Sequence, residues 1–212
     1  VTTWAVVVAA GSGSRFGGLK QFADLAGRPV VDWSIETARK VCDGVVLVAP
    51  PGFDADSIVG VDAVVEGGAT RSESVRRGLA AVPPDAEIIA VHDAARPLSR
   101  PDLWEAVVEA VAAGADAAIP GAPVTDTVKE VGEDGHLITL DRSRLVAVQT
   151  PQAFRAVALR SAHAGGEDAT DDAALVESVG GRVVLVDGPP DNLKLTSPTD
   201  LVVAAALLWS RA

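Results

Sequence analysis

Ala5-Val6-Val7-Val8-Ala9-Ala10-Gly11-Ser12-Gly13-Ser14-Arg15-Phe16-Gly17-Gly18-Leu19-Lys20-Gln21-Phe22 is a short apolar run that empties into a glycine-rich loop carrying two cations. The run predicts a buried strand. Small residues at its carboxyl end leave the backbone unobstructed. Gly11 and Gly13 let that backbone turn tightly with its N–H groups facing a ligand. Arg15 and Lys20 add positive charge to the same loop, and backbone donors with two cations suit a polyphosphate.

Three loop chemistries compete for this pattern. A dinucleotide fingerprint built on Gly11, Gly13 and Gly17 needs an acidic residue near the end of the second strand. The second apolar run, Val45-Val46-Leu47-Val48, continues into Ala49-Pro50-Pro51 and supplies none. A Walker-type phosphate loop needs Gly-Lys followed by Ser or Thr, whereas Lys20 sits between Leu19 and Gln21. A loop that wraps a nucleoside triphosphate and neutralises departing pyrophosphate uses both Arg15 and Lys20. The plain alternative is a surface loop with two solvated cations.

The 212 residues suit one large α/β domain, 1–212, with room for a substantial core. Hydrophobic residues make up 48% and aromatic ones only 4%, so Val, Ala, Leu and Ile must build that core. Val-rich runs alternating with Ala-rich ones favour parallel strands covered by helices. A net charge of −11 argues against a nucleic-acid partner. It also requires that anionic substrates be held by locally concentrated Arg and Lys. The single cysteine, Cys42, excludes an intramolecular disulfide and a multi-cysteine metal site. No apolar run is long enough for a membrane span and no secretory leader is legible, so the expectation is a cytoplasmic protein without a membrane partner.

After the loop, Val30, Val31, Ser34, Ile35, Ala38 and Val41 recur at helical spacing behind Pro29. Strands are expected at 45–48, 63–66, 87–91 and 115–119, with helices at 72–82 and 101–113 between them. This alternation predicts a doubly wound sheet. Residues 123–145 break the rhythm. Two polar strands, 127–131 and 136–140, meet at Glu133-Asp134-Gly135, an Asp-Gly hairpin turn. The hairpin has little apolar surface of its own to bury, so it is expected to lean on something else. A strand near 146–148, helices near 155–163 and 171–179, a strand at 183–186 and a helix at 198–209 complete the chain.

In an open α/β sheet, ligands bind outside the carboxyl ends of the strands. Besides the opening loop, three segments arrive there. Gly67-Gly68-Ala69-Thr70-Arg71-Ser72-Glu73-Ser74 permits close backbone approach, and Ser72 or Ser74 could bond a base edge. Its bland reading is a strand-to-helix turn capped by Thr70 or Ser72. His92-Asp93-Ala94-Ala95-Arg96-Pro97 ends a strand with a carboxylate placed for Mg²⁺, and Arg96 could meet a phosphate; the alternative is a structural Asp93–Arg96 pair. His92 reads as a packing residue, and with only His136 and His163 elsewhere a zinc site is not expected. In Asp191-Asn192-Leu193-Lys194 the lysine could reach a reacting phosphate or simply be solvated.

These segments occur in one order with Asp126-Thr127-Val128-Lys129, Asp141-Arg142, Gln149-Thr150-Pro151-Gln152 and Thr170-Asp171. Together they resemble the 2-C-methyl-D-erythritol 4-phosphate cytidylyltransferase family, the CTP-using enzymes of the non-mevalonate isoprenoid pathway, over nearly the whole chain. The resemblance implies a Rossmann-like, mostly parallel sheet of glycosyltransferase-A type and a homodimer in which a β-hairpin arm, here about 123–145, reaches across the partner's active site. It implies that Arg15 and Lys20 bind the triphosphate and stabilise the transition state. Ala9, Ala10, Gly11, Ser12, Gly13, Gly68, Ser74 and Ala94 would form the CTP site, and Asp93 would hold Mg²⁺. Thr127 and Arg142 would come from the partner's arm to grip methylerythritol phosphate, with Arg96, Thr150, Thr170 and Lys194 completing that pocket. One departure is visible: Leu19 replaces the proline common before the loop lysine, and the Arg15–Lys20 gap is short. Two further readings stay open here, transfer of CMP to ribitol 5-phosphate and a non-catalytic nucleotide-binding domain.

Overall fold

The computed structural model describes residues 1–11, 16 and 18–211. Strand β1 (Thr3–Val8) is apolar after Thr3 because both of its faces are covered. Its alternating side chains divide between two cores: Val6 packs with Val46, Val48 and Leu79, while Ala5 and Val7 pack with Val31, Ile35 and Trp104. After the loop comes a small antiparallel hairpin, β2 (Asp24–Leu25) and β3 (Arg28–Pro29). It turns on Ala26 and Gly27, both with positive φ. This hairpin was not foreseen, since two-residue strands leave no periodicity to read.

Helix α1 (Val30–Val41) and strand β4 (Gly44–Ala49) follow, then β5 (Ala63–Glu66). Helix α2 (Arg71–Ala81) presses on the sheet through Gly78, where a Cβ would stand 2.5 Å from a methyl of Val6 and 2.9 Å from one of Val48. Strand β6 (Ile88–Asp93), helix α3 (Pro101–Ala112) and strand β7 (Ala117–Pro123) complete the first stretch. The polar hairpin is present as β8 (Lys129–Val131) and β9 (Leu137–Thr139), an antiparallel pair outside the main sheet. Strands β10 (Val146–Val148) and β11 (Gln152–Arg155), helices α4 (Ala156–His163) and α5 (Asp172–Ser178), strand β12 (Val183–Asp187) and helix α6 (Pro198–Arg211) follow.

The sheet runs β5-β4-β1-β6-β11-β7. One edge of β7 carries β11 and then β10, and the other edge carries β12. The pairs β1–β4, β1–β6, β4–β5 and β7–β12 are parallel. Strand β11 is antiparallel to both of its neighbours, so the sheet is mostly, not wholly, parallel. Sequence reading missed β11 because its four residues open on Gln152 and close on Arg155, a short run with polar ends.

The chain leaves β1 for β4 and β5 on one side and then crosses to β6 on the other. Val8 and Asp93, the last residues of β1 and β6, therefore lie side by side at the strand ends. The crevice outside such a reversal of strand order is where open α/β sheets bind ligands. Among the described residues no helix is long and apolar enough to cross a membrane.

Candidate active site

The glycine-rich loop is anchored at its root by Gln21. This side chain is buried, and its amide donates to the carbonyls of Ala9 (2.5 Å) and Gly11 (3.1 Å). The clamp brings Lys20, its neighbour, back to the strand end, where Lys20 and Gly11 line one cavity of about 460 Å³. Ala10 lines the same cavity, whereas Ala9 is buried and spends its N–H on Val48 O (2.8 Å). Ser12, Gly13 and Arg15 lie outside the described residues.

The β5–α2 turn forms the opposite wall. Gly67 packs on the end of β1 so closely that a Cβ would sit 2.1 Å from the Ala10 methyl. Thr70 caps α2, its hydroxyl accepting from Glu73 N–H (3.1 Å). The Ser74 hydroxyl accepts from Gly68 N–H (3.0 Å) and donates to Thr70 O (2.9 Å), so Ser74 braces Gly68 while both line the cavity. Ser72 is buried facing the other way, where it accepts from Ala169 N–H (3.2 Å); of the two serines, only Ser74 lines the cavity.

At the floor stands Asp93. Lys194 Nζ is 2.6 Å from its Oδ2, and Arg71 Nε is 3.4 Å from its Oδ1. Burial alone would raise this carboxyl, but the two cations hold it well below the usual carboxylate range. Asp93 thus pairs with Lys194 and Arg71 rather than with Arg96, whose guanidinium donates to the carbonyls of Asn192 (2.7 Å) and Val148 (3.3 Å). Sequence reading gave Arg71 no role. The available signal was its position: a cation in the first turn opposes the helix dipole and implies an acidic partner. Ala94 is fully buried with its N–H on Val8 O (3.0 Å); its neighbour Ala95 lines the cavity instead.

A second cavity, about 350 Å³, shares Arg71, Asp93 and Lys194 with the first and adds Arg96, Thr150 and Thr170. Buried Asn192 donates to Gln149 Oε1 (2.9 Å) and Thr150 O (3.0 Å), and Leu195 N–H donates to Ala95 O (2.8 Å). These bonds lace the lysine-bearing segment to the strand ends and aim Lys194 at Asp93. Beneath them His92 is fully buried, and burial pushes its imidazole down to about 3. It is therefore neutral, with Nε2–H facing Arg96 O (3.2 Å) and Nδ1 accepting from the Thr150 hydroxyl (3.2 Å). The same hydroxyl accepts from Asp93 N–H (3.1 Å), so Thr150 holds Asp93 in place while lining the cavity.

Thr127 and Arg142 are exposed and line neither cavity. Arg142 donates to Thr125 O and borders a separate hollow beside the arm with Ser143, Val146 and Leu185. The hairpin also bears more exposed apolar surface than its polar sequence suggests: Val131, Leu137 and Ile138 are all solvent-facing, as are Val146 and Val148 after it.

A strand-order crevice with a clamped glycine loop, a close-packed glycine turn and a cation-bracketed carboxylate defines a nucleotide-handling α/β transferase class. The sequence model of the family 2-C-methyl-D-erythritol 4-phosphate cytidylyltransferase (IspD) matches residues 3–210. The enzyme of that name from Frankia casuarinae is 46% identical over 96% of this chain and 80% of its own length. A bifunctional IspD/IspF enzyme of Nitratidesulfovibrio vulgaris is 44% identical over 96% of this chain, which spans 58% of that relative. The crystal structure of the Thermus thermophilus cytidylyltransferase superposes with a TM-score of 0.84 at 36% identity, covering 96% of this chain and 98% of that one. The chain belongs to the 2-C-methyl-D-erythritol 4-phosphate cytidylyltransferase family.

Proposed function

We propose that the two cavities receive CTP and 2-C-methyl-D-erythritol 4-phosphate, and that CMP passes from one to the other across their shared wall. The products are 4-diphosphocytidyl-2-C-methyl-D-erythritol and pyrophosphate. The observation that carries this arrangement is the wall itself: Arg71, Asp93 and Lys194 border both cavities, so two anions meet over two cations and one carboxylate.

The attacking group is an oxygen of the methylerythritol phosphate. It forms a bond to the α-phosphorus of CTP while the bond from that phosphorus to the bridging oxygen breaks and its electron pair leaves with pyrophosphate. A phosphate monoester has its second pKa near ~6 and is largely dianionic at neutral pH, so no protein base is needed. Positioning and charge stabilisation then supply the catalysis. Lys20 and Arg15 neutralise the triphosphate, and Lys194 orients the incoming phosphate. Gly11, Gly68 and Ser74 shape the nucleotide side, with Ala9, Ala10, Ala94, Ser12 and Gly13 in the segments around it. Arg96, Thr150 and Thr170 bound the polyol side. Exposed apolar residues on the arm support a homodimer in which Thr127 and Arg142 complete the partner's polyol pocket. We read 1–212 as one catalytic domain with an arm at about 123–145, working in the cytoplasm.

Mg²⁺ fits as an ion shared with substrate rather than one caged by protein. Among the described residues no group of three or more His, Cys, Asp or Glu stands together, whereas one carboxylate plus phosphate oxygens and water satisfies Mg²⁺. Asp93 would hold it, and the ion would offset triphosphate charge. Product formation from CTP and methylerythritol phosphate, followed by mass spectrometry, tests the reading in a Mg²⁺ titration. Asp93→Asn should need more Mg²⁺ for half-maximal rate; an unchanged requirement would remove Asp93 from that role.

A further inference from the structure

Behind the shared wall lies a carboxylate that the reaction itself does not touch. Asp172, the first residue of α5, is fully buried. Its Oδ2 is 2.8 Å from Arg71 Nη1, and its Oδ1 accepts from His163 Nε2 at 3.0 Å. A carboxylate oxygen only accepts, so His163 carries its proton on Nε2. His163, the last residue of α4, is itself buried. The result is a linear series from the core to the cleft: His163, Asp172, Arg71, Asp93, Lys194.

The series solves a specific problem. Arg71 springs from the nucleotide-side turn, and if Asp93 were its only partner, any charge placed near Asp93 would be free to pull the guanidinium along. Asp172 holds the guanidinium from the opposite side as a close ion pair, not as an aligned hydrogen bond. The two carboxylates use different faces of the fork, Nη1 toward Asp172 and Nε toward Asp93. A planar guanidinium can serve two such partners at once, which an ammonium cannot do with fixed geometry. Burial disfavours the charged Arg71, yet the two carboxylates outweigh it and keep the guanidinium charged. Asp172 also follows directly on Thr170 and Asp171, which line the second cavity, so one short segment sets both the polyol wall and the anchor of the nucleotide-side arginine.

We propose that Asp172, oriented by His163, is a positioning residue that fixes Arg71 between the two substrate cavities. Asp172 never meets substrate; it acts through Arg71. This rests on the reading of the cleft given above, in which the cations of the shared wall meet phosphate.

The test is a double-mutant cycle read in kcat and in both KM values. Asp172→Asn changes one oxygen to nitrogen and keeps an amide oxygen for His163. It should lower kcat about tenfold or more, because a small misplacement of a positioning group is costly at the transition state, with both KM values moving less. In an Arg71→Met background the same change should alter kcat by less than about twofold, since the residue through which it acts is gone. Equal losses in the two backgrounds would overturn the proposal, as would undiminished kcat in Asp172→Asn. Arg71→Met at full rate would instead overturn the reading of the cleft on which it rests. A second pair leaves the buried charges untouched. His163→Gln can still donate to Asp172 and should retain rate, whereas His163→Leu cannot and should lose it at a similar melting temperature. Full activity in His163→Leu, or a loss that follows melting temperature alone, would contradict the proposal.

Discussion

Lys20 and Gln21 are adjacent and divide one task between them. Gln21 faces inward and clamps the root of the loop; Lys20 lines the nucleotide cavity. Replacing Lys20 by Ala should lower turnover by roughly two orders of magnitude or more, the scale expected when one transition-state donor is removed. Steady-state kinetics would check this, and an unimpaired Lys20→Ala enzyme would remove the residue from the transition state. Gln21→Leu takes the donor from the buried Ala9 carbonyl, a loss of about 1–3 kcal/mol where water cannot reach it, and leaves the exposed Gly11 carbonyl to solvent. Its expected signature is a lowered melting temperature together with a raised KM for CTP. A raised KM for the polyol phosphate alone would count against the clamp. Lys20 was legible as a cation in a glycine loop. The work of Gln21 was not, because a side chain's reach back to carbonyls ten and twelve residues away leaves no trace in local pattern.

At the scale of elements, the hairpin β8–β9 was legible because Glu133-Asp134-Gly135 is a strong turn signal between two short polar runs. The structure trims the first strand at its start and the second at both ends, and leaves the pair off the main sheet. Short antiparallel β11 was illegible for the opposite reason, since pairing with β6 and β7 comes from tertiary contacts and not from its own sequence. Parallel strands such as β4 were plain: Gly44–Ala49 is buried throughout and reads as an unbroken apolar run. Arg71 and Asp172 were missed because their partners lie across the fold; the first-turn position of Arg71 hinted at an acidic partner, whereas an aspartate in a first turn is favoured by the helix dipole alone. The arm reading carries its own prediction. Arg142→Ala should raise the KM for methylerythritol phosphate, by about tenfold for one lost charge-assisted hydrogen bond, and should raise that for CTP less. The reverse pattern would argue against the arm serving the polyol pocket.

For the whole molecule, the site sits on a core whose protonation is coupled to folding. His92 is held neutral, its imidazole pushed down to about 3 by burial, while the unfolded chain takes up that proton near ~6.5. Asp93 is shifted in the same direction, because Arg71 and Lys194 outweigh the effect of burial. In both cases the unfolded state binds more protons in acid, so stability is fully present at neutral pH and is lost as pH falls. The His92 share begins to go below about pH 6.5, and the Asp93 share is added below about pH 4. Urea unfolding between about pH 7 and 5 should show stability declining by up to about 1.4 kcal/mol per pH unit from His92, and His92→Gln should flatten that slope. A wild-type profile already flat in this range would mean that His92 is not buried in its neutral form.

The decisive measurement is pyrophosphate release from CTP with Mg²⁺, run in parallel with 2-C-methyl-D-erythritol 4-phosphate and with ribitol 5-phosphate. The account predicts release with the methylerythritol phosphate and none with ribitol phosphate. Release only with ribitol phosphate, or with neither, would contradict it.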